Sequence, residues 1–176
     1  MPDITSEPLA VDSGSIRIAG DRWASEGSSG TPIVLLHGGG QTRHSWDRSA
    51  AALAARGREV YTIDLRGHGD TNWAPDGDYG LDAFVNDLRH VIATIGRNPI
   101  LVGASLGGIT SLCATGEHPD LAEALVMVDV VVHVESEGIG RIQSFMTDHI
   151  DGFATLDEVA DAITAYNPER KRPRNL

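Results

Sequence analysis

Four short apolar runs punctuate the first 130 residues: 32–36 (Pro-Ile-Val-Leu-Leu), 59–63 (Glu-Val-Tyr-Thr-Ile), 100–102 (Ile-Leu-Val) and 123–130 (Glu-Ala-Leu-Val-Met-Val-Asp-Val). Runs this short and continuous read as strands buried on both faces, which belong to parallel sheets covered by helices. Ahead of them, Leu9-Ala10-Val11 and Ile16-Arg17-Ile18-Ala19 alternate around Ser13-Gly14 and predict a hairpin. Residues 21–24 continue it as a further short strand, residues 1–8 read as loose, and 26–30 as a loop. Helical spacing appears between the runs. Residues 47–55 are Ala-rich and stop at Gly57. Leu81, Phe84, Val85, Leu88, Val91, Ile92 and Ile95 form one face of a helix ended by Gly96. A further helix runs from Leu106 to about Glu117, before Pro119. This alternation predicts an α/β fold: a doubly wound, mostly parallel sheet with right-handed crossovers. After His133 the pattern becomes irregular and helix-prone. Thr155-Leu156-Asp157-Glu158 is a capping box that opens a helix with Val159, Ile163 and Tyr166 on its face. The expected division is a core over 1–134 and a second part over 135–176.

Composition narrows the partners. At 176 residues, 41% hydrophobic and 22% charged, the chain reads as an ordinary soluble globular protein with one sizeable core. A net charge of −11 argues against nucleic acid and anionic membrane. No apolar run approaches the roughly 20 residues of a membrane span, and the N-terminus shows no signal region. The single Cys113 rules out an internal disulfide and fits a cytoplasmic location; it reads as a small buried hydrophobe. The basic cluster at 170–174 reads as a solvated stretch.

The candidate chemistry lies in Gly103-Ala104-Ser105-Leu106-Gly107, between an apolar strand and a helix. A serine on so sharp a turn has strained backbone angles, and glycines two residues either side remove the clash. The turn lifts the Ser105 hydroxyl above the sheet and puts the Leu106 N–H at a helix N-terminus, where it stabilises an anion. Upstream, His37-Gly38-Gly39-Gly40 follows one strand and Asp64-Leu65-Arg66-Gly67-His68-Gly69 the next. Glycines there let the backbone approach a ligand, and Gly39 is expected to be disturbed by any larger residue. Arg66-Gly67-His68-Gly69 reads as a structural turn, since no second histidine lies at metal-ligand spacing.

With these three motifs in this order, residues 9 to 134 resemble the α/β-hydrolase fold superfamily, in its serine members. The resemblance implies Ser105 as nucleophile and Gly39 as the second oxyanion donor beside Leu106. It implies that His37 orders its loop. His44 and Trp46 either border the pocket or, for His44, face solvent. It implies a helical cap, of which 135–176 is the start. Family triads run serine, acid, histidine. None of His37, His44, His68, His90, His118, His133 and His149 follows a strand in the required place. Asp129 is either the acid or a staple for loop amides. The chain is therefore expected to be truncated, as a fragment or a short product, and nearly inactive alone, with His133 the first candidate should it turn over. The expected substrate is a small ester-like or related acyl compound, with no metal or organic cofactor and with self-association through an open sheet edge. Epoxide hydrolases and haloalkane dehalogenases of the fold are disfavoured, because they carry Asp where Ser105 stands. The alternative is a non-catalytic binding protein of the same fold.

Overall fold

The apolar runs assemble into one six-stranded sheet in the order β1-β2-β4-β3-β5-β6. The computed structural model describes residues 4–130, 140, 144, 147–149 and 152–166. The strands are β1 (Thr5–Ser13), β2 (Ile16–Ala24), β3 (Ile33–Leu36), β4 (Val60–Ile63), β5 (Ile100–Ala104) and β6 (Ala124–Val128). The helices are α1 (Asp47–Ala54), α2 (Leu81–Ile95), α3 (Leu106–Glu117) and α4 (Leu156–Tyr166). β1 and β2 form an antiparallel hairpin, and β2 joins β4 antiparallel. β4, β3, β5 and β6 are mutually parallel, as the sequence pattern predicts. The chain passes from β3 to β4 on one side and then returns to β5 on the other. The carboxyl ends of β3 and β5 therefore flank the topological switch point, where open α/β sheets form their crevice.

Two sequence expectations shift. Residues 5–8 are not loose: they are the first half of β1, paired with residues 21–24. Pro8 is tolerated because β1 is an edge strand. Residues 21–24 are likewise part of one uninterrupted β2 rather than a separate strand. β6 is shorter than its apolar run and ends at Val128, which leaves Asp129 outside the strand.

Alternate side chains of the central strands feed two cores. Val34, Leu36, Tyr61, Ile63 and Leu101 pack with Phe84, Val85, Leu88, Val91 and Ile92 of α2. Ile33, Leu35 and Val60 face the other way, onto Ala50 of α1 with Trp23, Trp46 and Leu53 around them. Each buried side chain of this size contributes about 1.5–3 kcal/mol. β6 is the outer strand among the described residues, with Val126 46% and Val128 38% exposed.

The contacts divide the chain into two compact units, Met1–Val130 and Val131–Leu176. In the second, the capping box is present at α4: the Glu158 N–H donates to Thr155 Oγ1 at 3.2 Å. The Glu158 carboxylate accepts the Ala154 N–H at 2.8 Å, one residue before the expected donor. Residues 135–139 and the basic cluster at 170–174 lie outside the described residues. Among the described residues, no helix is long and apolar enough to cross a membrane.

A buried charged pair ties two parts of the first unit together. Arg66 donates from Nε and Nη2 to the two carboxylate oxygens of Asp87 at 2.7 and 2.8 Å, and from Nη1 to the Asp78 carbonyl at 2.8 Å. Asp87 lies on the buried side of α2, among apolar positions. Its hydrogen bonds, against the cost of burial, hold the Arg66 pKa above its ordinary value. The pair ties the loop after β4 to α2. Asp87→Ala strands a buried guanidinium and is expected to destabilise by about 3–5 kcal/mol. Arg66→Met combined with Asp87→Leu is expected to recover most of that loss. Urea unfolding of the wild type and both variants measures it.

Candidate active site

Ser105 sits where β5 turns into α3, with φ 45° and ψ −112°. A non-glycine residue in that region stores about 1–3 kcal/mol and persists only where its surroundings hold it. The holding is backbone contact. The Gly107 N–H donates to the His37 carbonyl at 3.1 Å, and the Ser105 N–H to the Val128 carbonyl at 3.3 Å. A Cβ on Gly107 would lie 2.6 Å from the Leu36 carbonyl oxygen, and one on Gly103 would overlap the Gly107 carbonyl. Glycine at these two positions is what the sequence spacing requires. A Cβ on Gly108 would also clash, lying 2.8 Å from the Gly103 carbonyl oxygen and from Val130 Cγ1. Ser105 itself is exposed.

Asp129 follows β6 as Ser105 follows β5, and Ala104 and Val128 are register partners. The two residues therefore stand at the same end of neighbouring strands. Asp129 is exposed, also with positive φ, 50°. Among the described residues its carboxylate staples no loop amide. The histidines separate clearly. His118 ends α3, roughly 20 Å from Ser105 at 1.5 Å rise per residue. His90 bonds the Asn86 carbonyl and Ser13. His149 stacks on Phe153. His44 is exposed, with Nδ1 3.2 Å from Asp47, while Trp46 belongs to the core under α1. His133 lies outside the described residues. Among the described residues no cluster of His, Cys, Asp and Glu has the makings of a metal site.

The loop after β3 is defined by where its amides go. The Gly38 N–H donates to Gln41 Oε1 at 3.0 Å and the Gln41 N–H to the Gly38 carbonyl at 3.1 Å. The Gly40 N–H donates to His68 Nε2 at 3.1 Å. The Gly39 and Leu106 amides have no partner among the described residues, and a Cβ on Gly39 would lie 4.0 Å from Leu106 Cδ2. Two unpaired N–H groups thus lie beside the elbow. Gly39 itself does not need to be glycine: its φ is not left-handed and it has room for a Cβ. The position that uses glycine's freedom is Gly40, at φ 72°.

Two imidazoles and a buried ion pair hold this loop. His37, fully buried, accepts the Leu65 N–H on Nε2 at 3.0 Å, so its ring is neutral and Nδ1–H donates to the Gly38 carbonyl at 2.8 Å. By the same logic His68 is neutral, accepting from Gly40 and donating Nδ1–H to the Arg66 carbonyl at 3.0 Å. The rings lie 5.1 Å apart. Each loop's histidine accepts an amide of the other loop. Beside them, Arg43 bonds Asp21, Asp70 and the fully buried Asp64. Burial works against the Arg43 charge, but those bonds outweigh it and raise its pKa. Sequence reasoning places His68 in a structural turn, as its bond to the Arg66 carbonyl bears out, but misses its bond to the Gly40 amide, and it misses Gln41 and Arg43, because these partners are backbone amides or distant carboxylates. Burial pushes the His37 pKa below 6.5, opposed by the Gly38 bond and assisted by His68. The folded chain therefore binds fewer protons here than the unfolded one. The His37 contribution is intact above about pH 6.5 and erodes as pH falls toward the lowered folded value. The urea midpoint is expected to fall from about pH 7.5 to about pH 5, and to fall less in His37→Gln, which keeps an acceptor without titrating. Equal slopes in both proteins would remove His37 from the acid response.

Known proteins resemble this chain in sequence and in fold. An esterase of Mycobacterium tuberculosis is 37% identical over 110 residues, 62% of this chain and 35% of that protein. The sn-1-specific diacylglycerol lipase of Mus musculus is 39% identical over 100 residues, 56% of this chain and 32% of that protein. The chain thus spans about a third of the length of these curated relatives. The crystal structure of E-2-(acetamidomethylene)succinate hydrolase superposes with a TM-score of 0.78 at 24% identity, over 95% of this chain and 60% of that one, a likeness of fold. The family model described as alpha/beta hydrolase fold matches residues 31–166, from the strand before the glycine loop through α4, and the chain belongs to that family.

Proposed function

We propose that this chain carries the nucleophile and the oxyanion-binding amides of a serine-dependent hydrolase acting on ester-like acyl substrates. The observation that carries the reading is an exposed Ser105 at φ 45° between two amides, of Leu106 and Gly39, that have no partner among the described residues. Ser105 Oγ attacks the substrate carbonyl carbon and gives up its proton to a general base. The carbonyl oxygen takes the negative charge, and the N–H groups of Gly39 and Leu106 donate to it. Collapse expels the alcohol and leaves an acyl-serine, which water then hydrolyses to free acid. No step draws on a metal or organic cofactor. Relatives that are an esterase and a diacylglycerol lipase support this substrate class. Asp129, at the neighbouring strand end, is the acid that orients the base in this reading.

In the protein that carries this chain, a fluorophosphonate probe is expected to label Ser105, and Ser105→Ala to abolish both labelling and ester hydrolysis. Labelling elsewhere with Ser105 untouched would sink the assignment. Asp129→Asn keeps the shape and removes the charge. A drop of about 10³ or more in kcat supports the acid role, whereas near-normal turnover removes Asp129 from the triad.

A further inference from the structure

A Gly-Gly-Gly loop is a poor device for aiming an amide, because each peptide plane can rotate at little steric cost. Gly39 is flanked by two such planes, and the structure pins both. The plane joining Gly38 and Gly39 holds the Gly38 carbonyl, which accepts from His37 Nδ1 at 2.8 Å and from the Gln41 N–H at 3.1 Å. In a trans peptide the N–H points opposite to the carbonyl, so the Gly39 N–H is turned away from these donors. The next plane, joining Gly39 and Gly40, is held through the Gly40 N–H, and its partner is His68 Nε2 at 3.1 Å. Gly40 is at φ 72°, so nothing intrinsic to an L-residue backbone keeps that plane in place. His68 is itself anchored, with Nδ1–H on the Arg66 carbonyl. Arg66 is anchored in turn by Asp87 of α2.

We propose that His68, in its neutral Nδ1–H form, is a positioning residue that fixes the Gly39 amide for the developing oxyanion, acting through Gly40. The inference rests on the reading of Ser105 and Gly39 given above. It couples the loop after β4 to the oxyanion site by one hydrogen bond across 28 residues of sequence. Loss of the bond leaves substrate binding largely intact and frees the Gly39–Gly40 peptide to rotate about the Gly39 Cα, so the Gly39 N–H, which lies in the preceding plane, is held from the Gly38 side alone. The cost therefore falls on turnover rather than on KM.

Two replacements separate this role from support of the turn. Gln places an acceptor near the position of Nε2, and Asn keeps only a donor near Nδ1 for the Arg66 carbonyl. In the protein that carries this chain, with a p-nitrophenyl ester as substrate, His68→Asn is expected to lower kcat about tenfold with KM and Tm nearly unchanged. That loss is smaller than the ~10²–10³ of a deleted oxyanion donor. His68→Gln is expected to recover most of it. In the ¹⁵N-labelled protein a scalar coupling across the hydrogen bond between the Gly40 amide and His68 Nε2 is expected, a signature that does not depend on catalysis. Absence of that coupling overturns the proposal. So does Ser105-dependent turnover indifferent to His68→Asn, or an equal fall of kcat and Tm in both variants. The control is Ser105→Ala in the same assay: activity surviving it fails the reading of Ser105 instead.

Discussion

The structure depends on how closely the first turn of α3 approaches the end of β3. Gly107 lies against the Leu36 and His37 carbonyls, and no side chain fits between them. That contact lets the chain reverse from β5 into α3 within one residue, and it puts the resulting backbone strain on Ser105. Strain at a single residue survives only if the flanking elements cannot relax. Here β5 lies between β3 and β6 in the sheet, and α3 packs on both β5 and α2. The same approach brings the loop after β3 against the elbow, so the unpaired amides of Gly39 and Leu106 become neighbours.

Polar groups inside this end of the fold solve a problem that apolar packing cannot. Loops at the carboxyl ends of parallel strands carry backbone donors and acceptors that need partners once buried. Neutral histidine supplies one donor and one acceptor at a fixed spacing without the desolvation cost of a charge. His37 and His68 each use both ring nitrogens on backbone groups. The buried charged side chains among the described residues here are multiply bonded, Asp64 with Arg43, which also bonds Asp21 and Asp70, and Arg66 with Asp87. Such pairs are weak sources of net stability but costly to break, which suits them to holding loop geometry.

Elements with a strong local signature were legible before the fold was seen. The α2 stripe from Leu81 to Ile95 and the α3 start at Leu106 match the helices residue for residue. The early boundaries were less legible, because Ser6, Glu7 and Pro8 have little β-propensity of their own and become strand by pairing with β2. The requirement for glycine was legible at Gly103 and Gly107, where the turn imposes it. It was misplaced at Gly39, since which of three consecutive glycines takes the left-handed angle depends on what each amide bonds.

The sequence by itself determined the strand–helix alternation, the six-residue span from Gly103 to Gly108 that must form a tight elbow, and Ser105 as its exposed apex. These follow from hydrophobic period and steric limits, which are local. Only the tertiary structure decided which amides stay unpaired, that His68 rather than a neighbour holds Gly40, and that Asp87 on an apolar helix face meets Arg66. Those pairings join residues 28 and 21 positions apart, the first between the loops after β3 and β4 and the second between the loop after β4 and helix α2. A hydrogen bond of that kind leaves no periodicity in the sequence, because its geometry exists only once the fold has brought the two segments together.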